Sequence, residues 1–165
     1  SASQIRGALT PAGKYIPTQA IWGDENMCSE ELIVQLECEN ILMDGKLNLY
    51  EEAPDDNEQV LIEIYFHNQK VCKMAENFFR ALQALRHDLE KINVQIICNG
   101  AAKNVYPSPM QLSMGSCRTA YMLQLGHRAR SSDIVDIFEC MNSLECVNVK
   151  RQEEFYSRWL KSLAK

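Results

Sequence analysis

The apolar positions along this chain change period several times, and each change predicts an element. Over 31–38, Leu32, Val34, Leu36 and Cys38 fall on one side and Gln35 and Glu37 on the other, a period of two that predicts a half-buried strand. A helix competes for the same stretch, because Ser29 is a cap residue and Leu32, Ile33 and Leu36 fit one helical face. Asp44-Gly45 separates the apolar runs 41–43 and 47–50 and predicts a hairpin turn. Residues 51–58 hold five acids, Pro54 and no other apolar residue except Ala53, and predict a solvated loop. Residues 59–66 are almost continuously apolar and predict a central strand. Val71, Met74, Ala75, Phe78, Leu82, Leu85 and Leu89 then recur three and four apart. That spacing predicts a long amphipathic helix over 69–91, capped by Asn68, with Lys70, Lys73, Arg80, Arg86 and Glu90 facing water.

Residues 93–98 predict a second strong strand. Strand, helix and strand together read as a βαβ-like unit, with a right-handed crossover if the strands are parallel. Further along come a loop-rich segment to Cys117, a strand at 119–125, a short helix at 133–139 capped by Ser132-Asp133, and a strand at 144–149. A terminal helix over 150–163 turns Phe155, Tyr156, Trp159, Leu160 and Leu163 inward. At the other end, Gly7, Pro11, Gly13 and Pro17 mark 1–22 as an extended arm that ends in a short strand at Ala20-Ile21-Trp22. The fold class expected is α+β (mixed α/β). One domain over 23–165 carries a sheet of about five strands centred on 59–66 and 93–98, with the long helix on one face.

Composition agrees with a single globular domain. The chain has 165 residues, 46% hydrophobic and 24% charged, enough to bury a core and unlike a disordered or disulfide-dense chain. No apolar run reaches the length of a membrane-spanning helix. Ser1 to Gly7 lack the apolar stretch of a signal peptide, so the expected location is the cytoplasm.

Charge changes the picture more. The net −5 hides blocks: +2 over 1–23, −12 over 24–63, +6 over 64–132 and −1 over 133–165, with no acid at all over 91–132. Either the acidic and basic blocks face each other in the fold, or the acidic block is a surface that attracts a basic protein. Glu51, Glu52, Asp55, Asp56 and Glu58 are the candidate partner-binding residues. A pI near 5.2 argues against general nucleic-acid binding.

Candidate chemistry is sparse. The segment from Cys98 to Met110 leaves the end of a strong strand, where open α/β sheets place ligands. Its Lys103, Tyr106 and Ser108, with Arg118 beyond, suit a small anion or a peptide; the alternative is a surface loop whose prolines limit its entropy. Neither phosphate-loop signature is present. Seven cysteines, an odd number, predict reduced and mostly buried thiols, with a Cys140–Cys146 disulfide as the rival. Cys98 or Cys117 with His67 or His127 would make a nucleophile and base, but no local signature supports such a pair. Asp133 and Asp136 read as helix-flanking acids. No catalytic residue, metal or cofactor is assigned.

The runs Cys98-Asn99-Gly100, Asn104-Val105-Tyr106-Pro107-Ser108, Met114-Gly115, Ala120-Tyr121 and 133–138 (Asp-Ile-Val-Asp-Ile-Phe) resemble small bacterial proteins of uncharacterised type. In size, acidity and α/β make-up the chain is similar to immunity proteins of bacterial polymorphic-toxin systems. The resemblance covers 60–163 by pattern and the rest by composition. It implies a cytoplasmic inhibitor that binds a cognate toxin, and it carries over no individual contact. An acidic block would suit a basic toxin such as a nuclease.

Overall fold

The computed structural model describes residues 30–164. The expected arm at 1–22, its short strand and Cys28 lie outside the described residues. Strand β1 (Glu30–Cys38) pairs antiparallel with β2 (Ile41–Tyr50) from Glu30↔Leu49 to Cys38↔Ile41. The turn between them is Glu39-Asn40, both at positive φ (53° and 67°), the backbone that a two-residue hairpin of this twist requires. The expected turn at Asp44-Gly45 is therefore corrected: both residues lie inside β2. Gly45 serves packing, since a Cβ there would meet Leu36 Cδ1 at 3.0 Å and Ile64 Cγ1 at 3.4 Å.

Strand β3 (Val60–Phe66) follows the acidic loop and pairs with β2, and β4 (Gln69–Ala75) folds back on β3 through His67-Asn68, again at positive φ (48° and 60°). The predicted helix is thus a strand for its first third. Lys70, Cys72 and Met74 face away from the core, and Met74 is 44% exposed. Seven residues satisfy a period of two as well as one of 3.6, and β4 caps what would have been an open edge on β3. Helix α1 (Phe78–Glu90) begins where Asn77, not Asn68, caps it by accepting a hydrogen bond from Arg80 N at 2.8 Å.

Strand β5 (Val94–Ile97) pairs antiparallel with the far side of β1, giving the order β4-β3-β2-β1-β5. The sheet is centred on β2, β5 is an edge strand, and the anticipated parallel crossover from β3 to β5 does not form. Leu36, Leu47, Leu49, Ile62, Ile64 and Ile96 point from the sheet into one core with Phe78, Leu82, Leu85 and Leu89 of α1.

A second layer covers the other side of α1. The segment after β5 makes a 3-10 turn (Asn99–Ala101), β6 (Val105–Tyr106) and α2 (Pro109–Met114). Strands β7 (Thr119–Met122) and β8 (Ile134–Asp136) complete a small sheet in the order β6-β7-β8. The expected helix at 133–139 is instead a 3-10 turn (Ser131–Asp133) running into β8, and the expected strand at 144–149 is a single bridge, Ala102↔Cys146. Helix α3 (Val149–Leu163) buries Phe155 and Trp159, but its Leu160 is 47% exposed. The architecture is a mixed α+β single domain, and no helix of the described residues is long and apolar enough to cross a membrane.

Candidate functional site

The acidic loop is folded. Ala53 is buried and pins it: Ala53 N donates to Gln59 O (2.8 Å), Asp56 N to Ala53 O (3.2 Å) and Gln59 N to Asp56 O (3.0 Å). The Asp56 carboxylate also accepts from Glu58 N at 3.0 Å. Glu51, Glu52, Asp55, Asp56 and Glu58 are all exposed. Among the described residues Glu52, Asp55, Asp56 and Glu58 enter no ion pair. Some of the acidic block does meet the basic one, through Glu30–Arg118 (2.8 Å) and Glu63–Lys70 (3.7 Å). The four loop acids are left over from that pairing, and they present a negative knob to solvent.

The loop leaves β2 just past Tyr50, and the Glu30 end of β1 lies against that same end of β2. There β1 has a second feature. Its ladder with β5 runs only from Gln35↔Ile97 to Cys38↔Val94. Glu30 to Val34 therefore have β2 on one side and no strand on the other among the described residues. β5 stops because the chain turns away at Asn99, where Asn99 N donates to Glu139 O (2.7 Å) and Gly100 N to Ile137 O (2.8 Å).

Between this open edge and 136–140 lies a groove of about 560 Å³. Leu32, Val34, Ile97 and Phe138 give it apolar walls, and Glu30, Asp136 and Glu139 set three carboxylates against the one guanidinium of Arg118. Arg118 spans the groove: it bonds Glu30 at 2.8 Å and Asp136 at 3.4 Å, with its guanidinium carbon 5.3 Å from the Phe138 ring centre. Ile33 is 68% exposed beside it on the outer face of the sheet.

The four residues read as an anion site are dispersed. Arg118 is neutralised as just described. Lys103 pairs with Glu145 at 3.1 Å and lies over the Phe155 ring. Ser108 caps α2 by accepting from Gln111 N (3.1 Å), while Gln111 Oε1 accepts from Ser108 N (2.8 Å). Tyr106 is buried and donates its hydroxyl to Glu153 at 2.8 Å; burial and that bond push its pKa up to about 12. Tyr106 and Ser108 do line one common cleft, with residues of α3.

Thiol chemistry finds little support. Burial pushes Cys98 up to about 12 and Cys117 up to about 11, the reverse of an activated nucleophile. The six described cysteines are unbridged; Cys98 and Cys117 are buried, Cys38 and Cys146 half-buried, Cys72 and Cys140 exposed.

Sequence reasoning missed the most buried polar centre. Arg86, placed on the water face by periodicity, is 2% exposed because α3 and the 99–102 segment cover α1 from behind. It donates to Gln152 Oε1 (2.6 Å), Val147 O (2.7 Å) and Gly100 O (3.3 Å). Gln152 Nε2 in turn reaches the carbonyls of Gly100, Ala102 and Val105, each at 2.9 Å. This pair fixes the backbone of 100–105, which carries β6 and aims the segment after β5 away from the open edge of β1. No local spacing marks Arg86; the capping-box pattern Ser108-Pro109-Met110-Gln111 marks only α2 inside the presumed loop.

Compared with protein-family models and with curated proteins, the chain matches none.

Proposed function

We propose that this chain is a protein-binding module that takes an extended, basic segment of a partner protein as an added strand along β1. The observation that carries this reading is the edge at Glu30 to Val34, which no strand of the described residues pairs, facing a groove with apolar walls and an excess of carboxylates. Unpaired strand edges are templates for another strand, and proteins normally blunt or cover them. Strand addition draws affinity from main-chain hydrogen bonds and specificity from the pockets for alternate side chains. Here the pockets are apolar and acidic, which favours a strand that alternates apolar with Lys or Arg.

The loop at 51–58 sits at the same end of the sheet and acts at a distance. Its carboxylates raise the encounter rate with a positive partner, while the groove holds the complex. The resemblance to immunity proteins adds the finer reading, a cytoplasmic inhibitor whose partner is a basic toxin. Blocking a toxin requires only a tight, fast interface, and no chemistry on this chain.

The test uses the partner retained by a tagged copy in the native host. Its association rate is measured at about 0.1 M and about 1 M salt, where the screening length drops from about 10 Å to about 3 Å. The unaltered protein should associate far faster at low salt. The E52Q/D55N/E58Q variant, which spares Asp56 for its bond to Glu58 N, should lose most of that advantage with little change in dissociation. Equal rates for both proteins at low salt would remove the loop from the account.

A further inference from the structure

The geometry points to a second site, for a small molecule that joins a planar ring to an anionic group, in a two-part cleft between the small sheet and α3. One part is a cavity of about 260 Å³ whose lining includes four aromatic rings, Tyr106, Tyr121, Tyr156 and Trp159, with Pro107 and Pro109. Tyr156 is stacked on Tyr106 (centres 4.0 Å apart, 11° between planes) and lies nearly parallel to Trp159 (6.0 Å, 22°). The other part is a cavity of about 320 Å³ with Asn104, His127, Arg128, Arg130 and Asp133 in its walls. The two share Leu123 and Arg128, so an anion held in the second lies next to a ring held in the first.

Two observations and one general property of guanidinium groups favour this ligand class. Arg128 and Arg130 are exposed and enter no ion pair among the described residues, unlike Arg118 and Lys103. The one carboxylate in that cavity, Asp133, is engaged by Arg130 N at 2.9 Å. Guanidinium groups recognise phosphate and carboxylate through paired N–H donors, so two uncommitted ones beside a cavity define an anion's place.

The site is also preorganised. The segment carrying the cations is tied to the helix carrying the rings: Trp159 Nε1 donates to His127 O (2.9 Å) and Gly126 N to Ser162 Oγ (2.8 Å). His127 N donates to Gln124 O (3.0 Å), closing the turn. A mostly apolar cavity with a few converging polar groups is the usual make-up of a small-molecule site, and stacked rings favour a flat partner. None of these residues belongs to the β1 groove, so this site stands whether or not the partner-binding reading does.

The experiment is titration calorimetry, backed by melting temperature, on the full chain. The probes are AMP, GMP, CMP, UMP, phenyl phosphate and 4-hydroxybenzoate; adenosine, inorganic phosphate and a uridine hexamer are the controls. At least one probe should bind and raise the melting temperature, with adenosine and phosphate each binding about tenfold or more weakly. R128A, at an exposed residue without an ion pair, should fold with an unchanged melting temperature and lose about tenfold or more in affinity. Y156L should lose ring binding, seen as loss of the upfield shift of the probe's ring protons. The proposal is overturned if no probe binds at millimolar concentration, if phosphate alone binds as well as the ring-bearing probes, or if R128A binds as tightly as the unaltered protein. Tighter binding of the uridine hexamer than of UMP would overturn it too, by making the cleft part of a nucleic-acid surface.

Discussion

Replacing Gln152 with leucine isolates the lock behind the candidate site. The side chain is fully buried, and its carbonyl accepts from Arg86 while its amide serves the carbonyls of Gly100, Ala102 and Val105. Leucine keeps the volume and removes every one of these bonds. The loss is of two kinds. Buried carbonyl groups lose a donor, at about 1–3 kcal/mol for each one left unsatisfied. Arg86 loses its shortest acceptor but keeps Val147 O and Gly100 O, and losing one hydrogen bond to a charged group costs about 1.5–3 kcal/mol. Gly100 O keeps Arg86, and Ala102 O keeps Val105 N at 3.3 Å, so the two costs overlap rather than add. A total of about 3–5 kcal/mol follows, roughly 6–20 °C in melting temperature for a domain of this size. Urea denaturation of Q152L and of the R86M/Q152L double variant measures it. The double variant removes the buried charge as well, so it should be less destabilised than the two single changes together by about 1–3 kcal/mol. Q152E should not rescue: it offers Arg86 a carboxylate but turns an oxygen toward three carbonyls. A Q152L protein within 1 kcal/mol of the parent, on the scale of one ordinary hydrogen bond, would refute the reasoning, as would strict additivity in the double variant.

Thiol labelling at neutral pH should be fast at Cys72 and Cys140 and negligible at Cys98 and Cys117, whose pKa values burial raises to about 12 and about 11; all seven react after denaturation without reductant. Early labelling of Cys98, read by mass spectrometry, would contradict its burial. The Lys73 ammonium, hydrogen-bonded to Asp88 at 2.8 Å, holds that carboxylate below its usual value, so the contribution is present at neutral pH and lost as pH falls through the folded-state pKa below about 4. D88N should therefore lower stability at pH 7 and converge with the parent in acid, checked by denaturation midpoints from pH 7 to 2. G100A places a Cβ 2.6 Å from Leu82 Cδ2 and 3.1 Å from Ile137 O, so about 1–3 kcal/mol of overpacking should appear in the same denaturation assay. An unchanged midpoint for G100A would mean that the 99–102 segment is packed less tightly than the structure has it.

What the sequence made legible was the part governed by local pattern. β3 and β5 are mostly apolar runs, β1 alternates except at Ile33 and α3 has a helical stripe, so their periods point to them. Residues 69–75 defeated the same logic. Val71, Met74 and Ala75 fit a helix with the residues that follow, and only the pairing of β4 with β3, a contact across the turn at His67-Asn68, decides for strand. Arg86 was misplaced for a related reason: periodicity assumes one covered face, and α1 has two. At the candidate site, the loop carboxylates were visible because charge needs no partner to be counted. The open edge was not, because it depends on where β5 stops pairing with a strand some sixty residues earlier. The ring-lined cleft joins Tyr106, Tyr121, Tyr156 and Trp159 from three elements, a gathering that no local spacing announces.

The central claim is that β1 has an edge ready for another strand, and backbone hydrogen exchange reads that edge directly. In an antiparallel strand successive amides point to opposite neighbours, so those of Glu30 to Val34 that face away from β2 should exchange quickly in the free protein, while Gln35 to Cys38 are held by β2 and β5. An alternating lysine–valine octapeptide serves as the strand, with a glutamate–valine octapeptide as control. The account predicts that the lysine peptide alone slows the outward amides between Glu30 and Val34. Bound lysine peptide that leaves those amides unprotected, or outward amides already slow in the free protein because its own chain covers them, would contradict it.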